Sequence, residues 1–149
     1  MRKKRRITAL KIAPYRSRYE FDIAKNLTRR KVKFDYEDQS FQYHQTIRNG
    51  KCLACDSVDV AGSHIYTPDF ILRSSGNIIE AKGRFVAADR TKILTVLDSE
   101  LNTITRDNFR MLFMQDRKLS PKAKLRYGSW CDKYDIEWDI GPEVPETWL

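Results

Sequence analysis

The chain has little of what membrane-spanning and secreted proteins require. No apolar run approaches the roughly 18 residues that cross a bilayer, and no signal-peptide pattern follows the basic start. Three cysteines are too few, and odd in number, for a disulfide framework, so the sequence favours a reducing, cytoplasmic setting. Internal repeats and low-complexity linkers are absent too. The chain has 149 residues, of which 41% are apolar and 32% charged. This length and composition predict one globular domain with its own core.

Positive charge is concentrated at the N-terminus. The net charge is +8, and eight basic residues precede the first acidic one, Glu20, so the other 20 basic and 20 acidic residues cancel. These eight are Arg2, Lys3, Lys4, Arg5, Arg6, Lys11, Arg16 and Arg18. Such a run is often only solvated, or serves as an address signal, but together with the metal site predicted below it favours contact with nucleic-acid phosphate. Residues 1–16 are therefore predicted to form a basic arm, and residues 17–149 a folded domain.

Hydrophobic periodicity predicts that this domain is mixed α/β. Ser17 begins a helix to about Arg30, with Ile23, Ala24 and Leu27 as its apolar stripe. The further predicted elements are strands at Val32–Tyr36, Phe41–Ile47, Phe109–Met114 and Ile136–Ile140, a helix at Asp89–Leu101, and a last helix capped by Ser120-Pro121 with its best stretch at Tyr127–Tyr134. Asn49-Gly50 predicts a turn, and Lys51–Gly62 an irregular insert.

A predicted β-hairpin carries the clearest chemistry. Its strands, Thr67–Leu72 and Asn77–Lys82, flank a four-residue turn, and this register places Asp69 opposite Glu80. Two facing carboxylates repel each other, and a divalent metal ion between them would reverse the sign of that interaction. Lys82 lies on the same face as Glu80, because side chains alternate along a strand. The hairpin therefore predicts a metal site with a lysine beside it.

Glu20 is a fourth candidate, with two open interpretations. Ser17-Arg18-Tyr19-Glu20 matches a capping box, in which Glu20 only caps the helix. Glu20 also extends the buried helical stripe, where a carboxylate needs a partner that a metal ion would supply.

Several motifs, taken together and in order, resemble the phage endonuclease I family, within the superfamily of restriction-enzyme-like nucleases. They are Tyr15-Arg16-Ser17 with Glu20, Tyr66-Thr67-Pro68-Asp69-Phe70, Glu80-Ala81-Lys82-Gly83, Asp89-Arg90-x-Lys92 and Tyr127-Gly128-x-x-Cys131. The resemblance runs from about Tyr15 to Leu149. It implies a restriction-endonuclease-like fold, in which a mixed central sheet is flanked by helices.

The resemblance also implies an active site formed by Glu20, Asp69, Glu80 and Lys82. Asp69 and Glu80, helped by the carbonyl of Ala81, would hold one divalent ion, and Glu20 would join Asp69 around a second. Magnesium is the expected metal, because the ligands are all oxygen, and manganese should substitute. Lys82 would position the attacking water or neutralise charge on the transition state. The products would carry a 5′-phosphate and a 3′-hydroxyl.

The implied substrate is branched DNA, above all the four-way (Holliday) junction, in the cytoplasm of a host cell. Two symmetric nicks require two sites, so a homodimer is expected, intertwined through an exchanged segment that corresponds here to Phe41–Ile47. Candidate DNA-binding residues are those of the arm (Arg2, Lys3, Lys4, Arg5, Arg6, Lys11 and Arg16) together with Arg84, Arg90 and Lys92. The same site on ordinary duplex DNA, as in a restriction-like or transposon-end nuclease, is the alternative, and a non-catalytic DNA-binding module is a third hypothesis.

The insert departs from the family's usual connection. Cys52 and Cys55 form a Cys-x-x-Cys pair, which is half of a structural zinc site. His44 and His64, or the same pair from a second subunit, would complete it. The alternative is that these cysteines are simply small apolar residues. Cys131, by contrast, is predicted to belong to the core.

Overall fold

The structure, a computed structural model, describes residues 13–44, 47–48, 51–52 and 63–149. Its helices are α1 (Arg18–Arg29), α2 (Ala87–Leu97) and α3 (Tyr127–Lys133), and a 3-10 turn spans Glu146–Trp148. Its strands are β1 (Phe34–Tyr36), β2 (Phe41–His44), β3 (Ile47–Arg48), β4 (Lys51–Cys52), β5 (Ser63–Tyr66), β6 (Phe70–Leu72), β7 (Ile78–Lys82), β8 (Phe109–Phe113) and β9 (Glu137–Ile140). No helix in these ranges is long and apolar enough to cross a membrane.

Five strands form a mixed sheet in the order β1-β6-β7-β8-β9. The neighbours β1, β6 and β7 are antiparallel, whereas β7, β8 and β9 run parallel. A two-stranded ribbon of β2 and β5 lies outside this sheet, and a short β3–β4 pair joins Arg48 to Lys51 across the predicted Asn49-Gly50 turn, whose own residues are outside the described ranges. The mixed α/β class predicted from the sequence is confirmed.

Each face of the sheet packs against helices. Alternation sends Ile79 and Ala81 of β7 to the α1 face, where Ile23 and Leu27 are fully buried. Ile78 points to the other face, which packs against α2 and α3. Fully burying a side chain such as Leu27 stabilises the fold by about 1.5–3 kcal/mol. Glu80, at the next even position after Ile78, therefore faces the α2 side.

The first helix and the long central strand match their predictions. Ser17 caps α1, since its Oγ accepts a hydrogen bond of 3.1 Å from the N–H of Glu20. The strand predicted at Phe109–Met114 is β8, which lies between two parallel neighbours. Cys131 is fully buried in the core, as predicted.

Several predicted boundaries differ from the structure. The strand predicted at Phe41–Ile47 is β2 only as far as His44, and residues 45–46 lie outside the described ranges. Helix α2 ends at Leu97, four residues before the predicted end at Leu101, and Leu101 is 43% exposed. The amide of Asn102 donates to the carbonyl of Val96 at 3.3 Å and to that of Gln42, on β2, at 2.8 Å, which ties the chain after the helix to the β2–β5 ribbon.

The last helix lies at its predicted best stretch, as α3, but it is not capped by Ser120-Pro121, because it begins only at Tyr127. A bridge between Lys118 and Arg126 instead folds the intervening segment back on itself. The insert predicted to be irregular from Lys51 onward begins with strand β4, and residues 53–62 lie outside the described ranges.

Candidate active site

The predicted register of the hairpin is confirmed. Phe70 pairs with Ile79, and the N–H of Leu72 donates to the carbonyl of Asn77 at 2.9 Å. The next step of this register places Asp69 opposite Glu80, directly before β6 begins. Both carboxylates therefore lie at the end of the hairpin away from its turn.

Lys82 completes a compact ionic cluster with two acidic side chains. Its Nζ lies 3.0 Å from Oε1 of Glu80 and 3.4 Å from Oδ1 of Asp89. Burial alone would lower the pKa of Lys82, but the charges of Glu80 and Asp89 outweigh burial, and the pKa is raised. Lys82 is therefore a cation held in place by two carboxylates, with 24% of its side chain exposed.

Asp89 owes its position to the start of α2. Its Oδ2 accepts a hydrogen bond of 3.1 Å from the N–H of Val86, the residue at the N-cap position of the helix. Oδ1 is thereby left to face Lys82. Sequence reasoning placed Asp89 in a motif but gave it no role, although its position in the first turn of a predicted helix is a capping signal.

Tyr66 is the second contact that sequence reasoning did not find. It is 1% exposed, and its hydroxyl donates a 2.5 Å hydrogen bond to Oε2 of Glu80. Burial and the neighbouring charge of Glu80 raise the pKa of Tyr66 well above its ordinary value, so the phenol stays protonated and remains a donor. Because Tyr66 belongs to the β2–β5 ribbon, its meeting with Glu80 follows from tertiary packing rather than from local sequence.

Asp69 shows the electrostatic cost of facing carboxylates. Burial and the charge of Glu80 raise its pKa from 3.8 to about 8, and the N–H of Ala81, 2.7 Å from Oδ2, offsets only part of this. A carboxyl group with its pKa raised in this way would be relieved of the cost by a bound cation. The donor set therefore fits a hard divalent ion.

The carbonyl of Ala81 is the third oxygen of this set. The carbonyl of Lys82 accepts from the N–H of Met114 at 3.0 Å across to β8, whereas the N–H of Ala81 points the other way, to Asp69. Since the N–H and C=O of one strand residue point to the same side, the carbonyl of Ala81 also points to the Asp69 side, beyond the start of β6. This orientation agrees with its predicted role as a backbone ligand.

Glu20 is held at the edge of the site by its own partners. Its Oε2 accepts hydrogen bonds from the hydroxyl of Tyr36 at 2.6 Å and from the N–H of Arg16 at 2.9 Å. In a capping box, the carboxylate of Glu20 would accept from the N–H of Ser17. Here it accepts instead from the N–H of Arg16, one residue earlier. Glu20 also contributes to the raised pKa of Asp69, as the smallest of its causes.

The carboxylates do not by themselves form a complete metal cage. Within the described ranges, no group of three or more Asp, Glu, His or Cys side chains is gathered closely enough to hold a metal ion. Magnesium sites commonly use one or two carboxylates and take their other ligands from water and substrate phosphate. Asp69, Glu80 and the Ala81 carbonyl suit that kind of open site.

The predicted DNA-binding residues have different surroundings. Arg2, Lys3, Lys4, Arg5, Arg6 and Lys11 lie outside the described residues. Arg16 is exposed and pairs with Glu37 at 2.9 Å. Arg84 is exposed directly after the Lys82-Gly83 step.

Arg90 and Lys92 on α2 each place their charged group over an aromatic ring. Arg90 donates to the carbonyl of Phe85 at 2.7 Å, and its guanidinium lies 5.8 Å from the centre of the Phe85 ring. Lys92 Nζ lies 5.3 Å from the centre of the Tyr66 ring, and so on the Glu80 side of the sheet.

The cysteine pair of the insert is only partly described. Cys52 is the last residue of β4, and Cys55 lies outside the described residues. His44 and His64 are both described, on the paired strands β2 and β5, where His64 packs against the ring of Tyr43 with centroids 5.5 Å apart. Zinc binding stays a prediction.

Comparison with known proteins identifies the family of the chain. The profile of the phage endonuclease I family matches residues 1–149. The chain is 29% identical over 140 residues to Endonuclease I of Escherichia phage T7, covering 93% of this chain and 80% of the relative. It is 32% identical over 123 residues to Endodeoxyribonuclease 1 of Enterobacteria phage T3, covering 82% of this chain and 68% of the relative. The chain therefore belongs to the phage endonuclease I family.

Proposed function

We propose that the protein is a metal-dependent endodeoxyribonuclease that resolves four-way junctions and other branched DNA by paired nicks. The observation that carries this proposal is the meeting of Asp69, Glu80 and Lys82 at one end of the hairpin. There, Nζ of Lys82 lies 3.0 Å from the buried carboxylate of Glu80. The names of the phage T7 and T3 relatives, an endonuclease and an endodeoxyribonuclease, support DNA as the substrate.

Each side chain has a defined part in this chemistry. Asp69 and Glu80, with the Ala81 carbonyl, would hold a Mg²⁺ ion, and Glu20 with Asp69 would hold a second; Mn²⁺ should substitute. Bound metal would lower the pKa of a coordinated water and stabilise the departing oxygen. Lys82 stabilises negative charge that develops on the scissile phosphate, because it is already placed and desolvated before substrate arrives.

The architecture proposed around this site is a restriction-endonuclease-like dimer. The five-stranded mixed sheet with helices on both faces supports such a fold. One site per chain cannot make two symmetric nicks, so two subunits are required, and the stretch at Phe41–Ile47 is the proposed exchanged segment. Hydrolysis would leave a 5′-phosphate and a 3′-hydroxyl. A phage enzyme of this kind would act in the host cytoplasm.

The deciding experiment compares a synthetic four-way junction with a linear duplex that has the sequence of one arm. We expect Mg²⁺-dependent cleavage of the junction at least about 100-fold faster than of the duplex, no cleavage in EDTA, and nicks that DNA ligase reseals because they carry a 5′-phosphate and a 3′-hydroxyl. On a supercoiled plasmid with a cruciform, paired nicking by a dimer should give linear product directly, not nicked circles. Equal rates on junction and duplex would reject the resolvase in favour of a nuclease for ordinary duplex DNA.

Zinc at Cys52 and Cys55 is a separate proposal. Elemental analysis of protein purified under reducing conditions without chelators should find one zinc per pair of chains if the two Cys-x-x-Cys pairs combine, or one per chain if His44 and His64 complete the site. A zinc content close to zero would reject both arrangements.

A further inference from the structure

A strongly basic loop follows strand β8. Residues 115–126, here called the basic loop, contain five basic residues and a single acidic one, Asp116. The basic residues are Arg117, Lys118, Lys122, Lys124 and Arg126. Since residues 20–149 are neutral in total, this excess of four positive charges is balanced by a net charge of −4 in the rest of that range. The loop is therefore a local concentration of charge.

The basic loop has a defined conformation. Lys118 and Arg126 form a bridge, within which the N–H of Leu119 donates to the carbonyl of Leu125 at 3.0 Å. Asp116 ties the base of the loop to α3 by accepting a hydrogen bond of 3.0 Å from the N–H of Gly128. Such anchoring reduces the entropy that the loop would lose on binding a ligand.

The only acidic side chain of the loop is already neutralised within it. Asp116 Oδ2 lies 2.8 Å from Nε of Arg126. Lys118, Lys122 and Lys124 are all exposed, and no carboxylate of the described residues pairs with them. Three ammonium groups are thus available on the surface for an anionic ligand.

Both ends of the basic loop are joined by hydrogen bonds to residues 82–85. At one end, the N–H of Met114 donates to the carbonyl of Lys82 at 3.0 Å. At the other end, the hydroxyl of Tyr127 accepts from the N–H of Phe85 at 3.3 Å. The exposed Arg84 lies between these two anchor points. Because β7 and β8 are parallel, their carboxyl ends, and hence Lys82 and the loop, share one edge of the sheet.

The position of the basic loop places positive charge beside the acidic residues of the site. Glu80 and Asp89 present negative charge to a substrate that is itself a polyanion, and Lys82 is shared between these two carboxylates. A fixed group of cations beside the carboxylates would attract the DNA backbone and offset the repulsion.

We propose that the basic loop, with Arg84, is a DNA-backbone-binding surface that holds the phosphates flanking the one to be cut. The proposal rests on the proposed function and adds to it the surface through which the folded domain, as distinct from its N-terminal arm, grips the substrate. The contact is with phosphate, since lysine ammonium groups are point charges that position DNA without reading its bases.

The test compares two triple variants with the same change of charge. The test variant is Lys118→Gln/Lys122→Gln/Lys124→Gln. The control is Lys31→Gln/Lys33→Gln/Lys133→Gln, three exposed lysines at the opposite edge of the sheet, beside the Leu72–Asn77 turn and the start of β9. Binding of a fluorescent four-way junction and of a matched duplex is measured by anisotropy in EDTA, over a series of salt concentrations.

We expect the test variant to bind junction at least about 10-fold more weakly than the control at moderate salt, with a slope of log Kd against log salt that is smaller by about 2 to 3. The kcat at saturating junction should stay within about 3-fold of the wild-type value, because the loop positions DNA but does not touch the reacting atoms. Equal slopes and affinities for the two variants would overturn the proposal. So would a loss confined to kcat.

Two further comparisons separate a failure of this proposal from a loss of stability and from a failure of the proposed function. If the test variant melts well below the control, the double variant Lys122→Gln/Lys124→Gln, which leaves the Lys118–Arg126 bridge untouched, is measured instead, with an expected slope change of about 1 to 2. A wild-type enzyme that shows no preference for junction over duplex would reject the proposed function, yet a slope difference between the variants on duplex would still support the loop. An unchanged slope on both DNAs, in an enzyme that does prefer junctions, would reject the loop alone.

Discussion

The hydroxyl of Tyr66 donates a 2.5 Å hydrogen bond to Oε2 of Glu80, while the other carboxylate oxygen lies 3.0 Å from Nζ of Lys82. Both oxygens of Glu80 are therefore engaged, and its orientation is fixed from two sides within a residue that is only 6% exposed. If Glu80 binds the proposed metal ion, this hydrogen bond would orient the ligand before the metal arrives. We therefore propose that Tyr66 is a positioning residue that acts through Glu80.

Replacing Tyr66 by phenylalanine should weaken metal binding with little effect on the fold. Tyr66→Phe keeps the ring and removes only the donor, so Glu80 loses one of its two constraints. We expect the affinity for Mn²⁺, measured by calorimetry, to fall by about 10- to 100-fold, and cleavage to be restored in part by excess metal. Tyr127→Phe is the matched control, because it removes another buried hydroxyl, whose partner among the described residues is the backbone N–H of Phe85. Equal Mn²⁺ affinities in the two variants would contradict this role.

Lys82 should be required for cleavage but not for binding. Lys82→Gln keeps most of the side-chain length and removes the charge, so transition-state stabilisation is lost while Asp69 and Glu80 remain. We expect kcat to fall by about 10²- to 10³-fold with junction affinity within about 3-fold of wild type. Binding of Mn²⁺ should not weaken, because the variant removes a positive charge from beside the ligands. A variant that cuts junctions at more than a third of the wild-type rate would show that Lys82 is not part of the chemistry.

The parts of the site that sequence could predict are those fixed by local rules. Strand alternation and a four-residue turn determine the register of the hairpin, and with it the position of Asp69 opposite Glu80. Ser17, as an N-cap residue, predicts the start of α1 from local sequence in the same way. These relationships involve residues close in sequence, so pattern alone was sufficient.

The contacts that sequence missed depend on elements that meet only in the folded chain. Tyr66 reaches Glu80 because the β2–β5 ribbon lies against the sheet, and no periodicity encodes that approach. The same holds for the end of α2, where Asn102 binds a carbonyl on β2 instead of letting the helix continue. Ser120-Pro121 is a good capping signal and predicts the start of a helix within the basic loop, but the Lys118–Arg126 bridge gives this segment another conformation.

Glu20 offers a test that separates a capping role from a catalytic one. Glu20→Gln retains an oxygen that can accept from Tyr36 and from the N–H of Arg16, so the local hydrogen bonds can persist while the charge is lost. If Glu20 helps to hold a second ion, cleavage should fall by about 10- to 100-fold with Tm within about 2 °C of wild type.

The matched control for Glu20 is Ser17→Ala, which removes the cap of α1 and should cost about 1 kcal/mol of stability without changing the dependence of cleavage on Mg²⁺. Full activity of Glu20→Gln at every Mg²⁺ concentration would leave Glu20 as a capping residue only.

Asp69 should make the metal-free protein less stable as the pH rises. Its pKa is about 8 in the folded protein against an ordinary 3.8, so between these values the folded state holds a proton that the unfolded chain has lost. Unfolding then releases a proton, and the free energy of unfolding falls from about pH 4 until it levels off above pH 8. Because Asp69 keeps some contact with water, we expect a loss of about 2 kcal/mol rather than the full value of the shift.

Asp69→Asn removes the ionisable group, so in EDTA it should be close to wild type in Tm at pH 5 and more stable than wild type at pH 8. Other groups titrate in both proteins, and the difference between the two melting curves isolates position 69. Adding Mg²⁺ at pH 8 should raise the Tm of wild type and leave the variant nearly unchanged, since the cation stabilises only the form that binds it. A Tm difference that is the same at pH 5 and pH 8, or an equal response of both proteins to Mg²⁺, would show that Asp69 is neither strained by Glu80 nor a metal ligand.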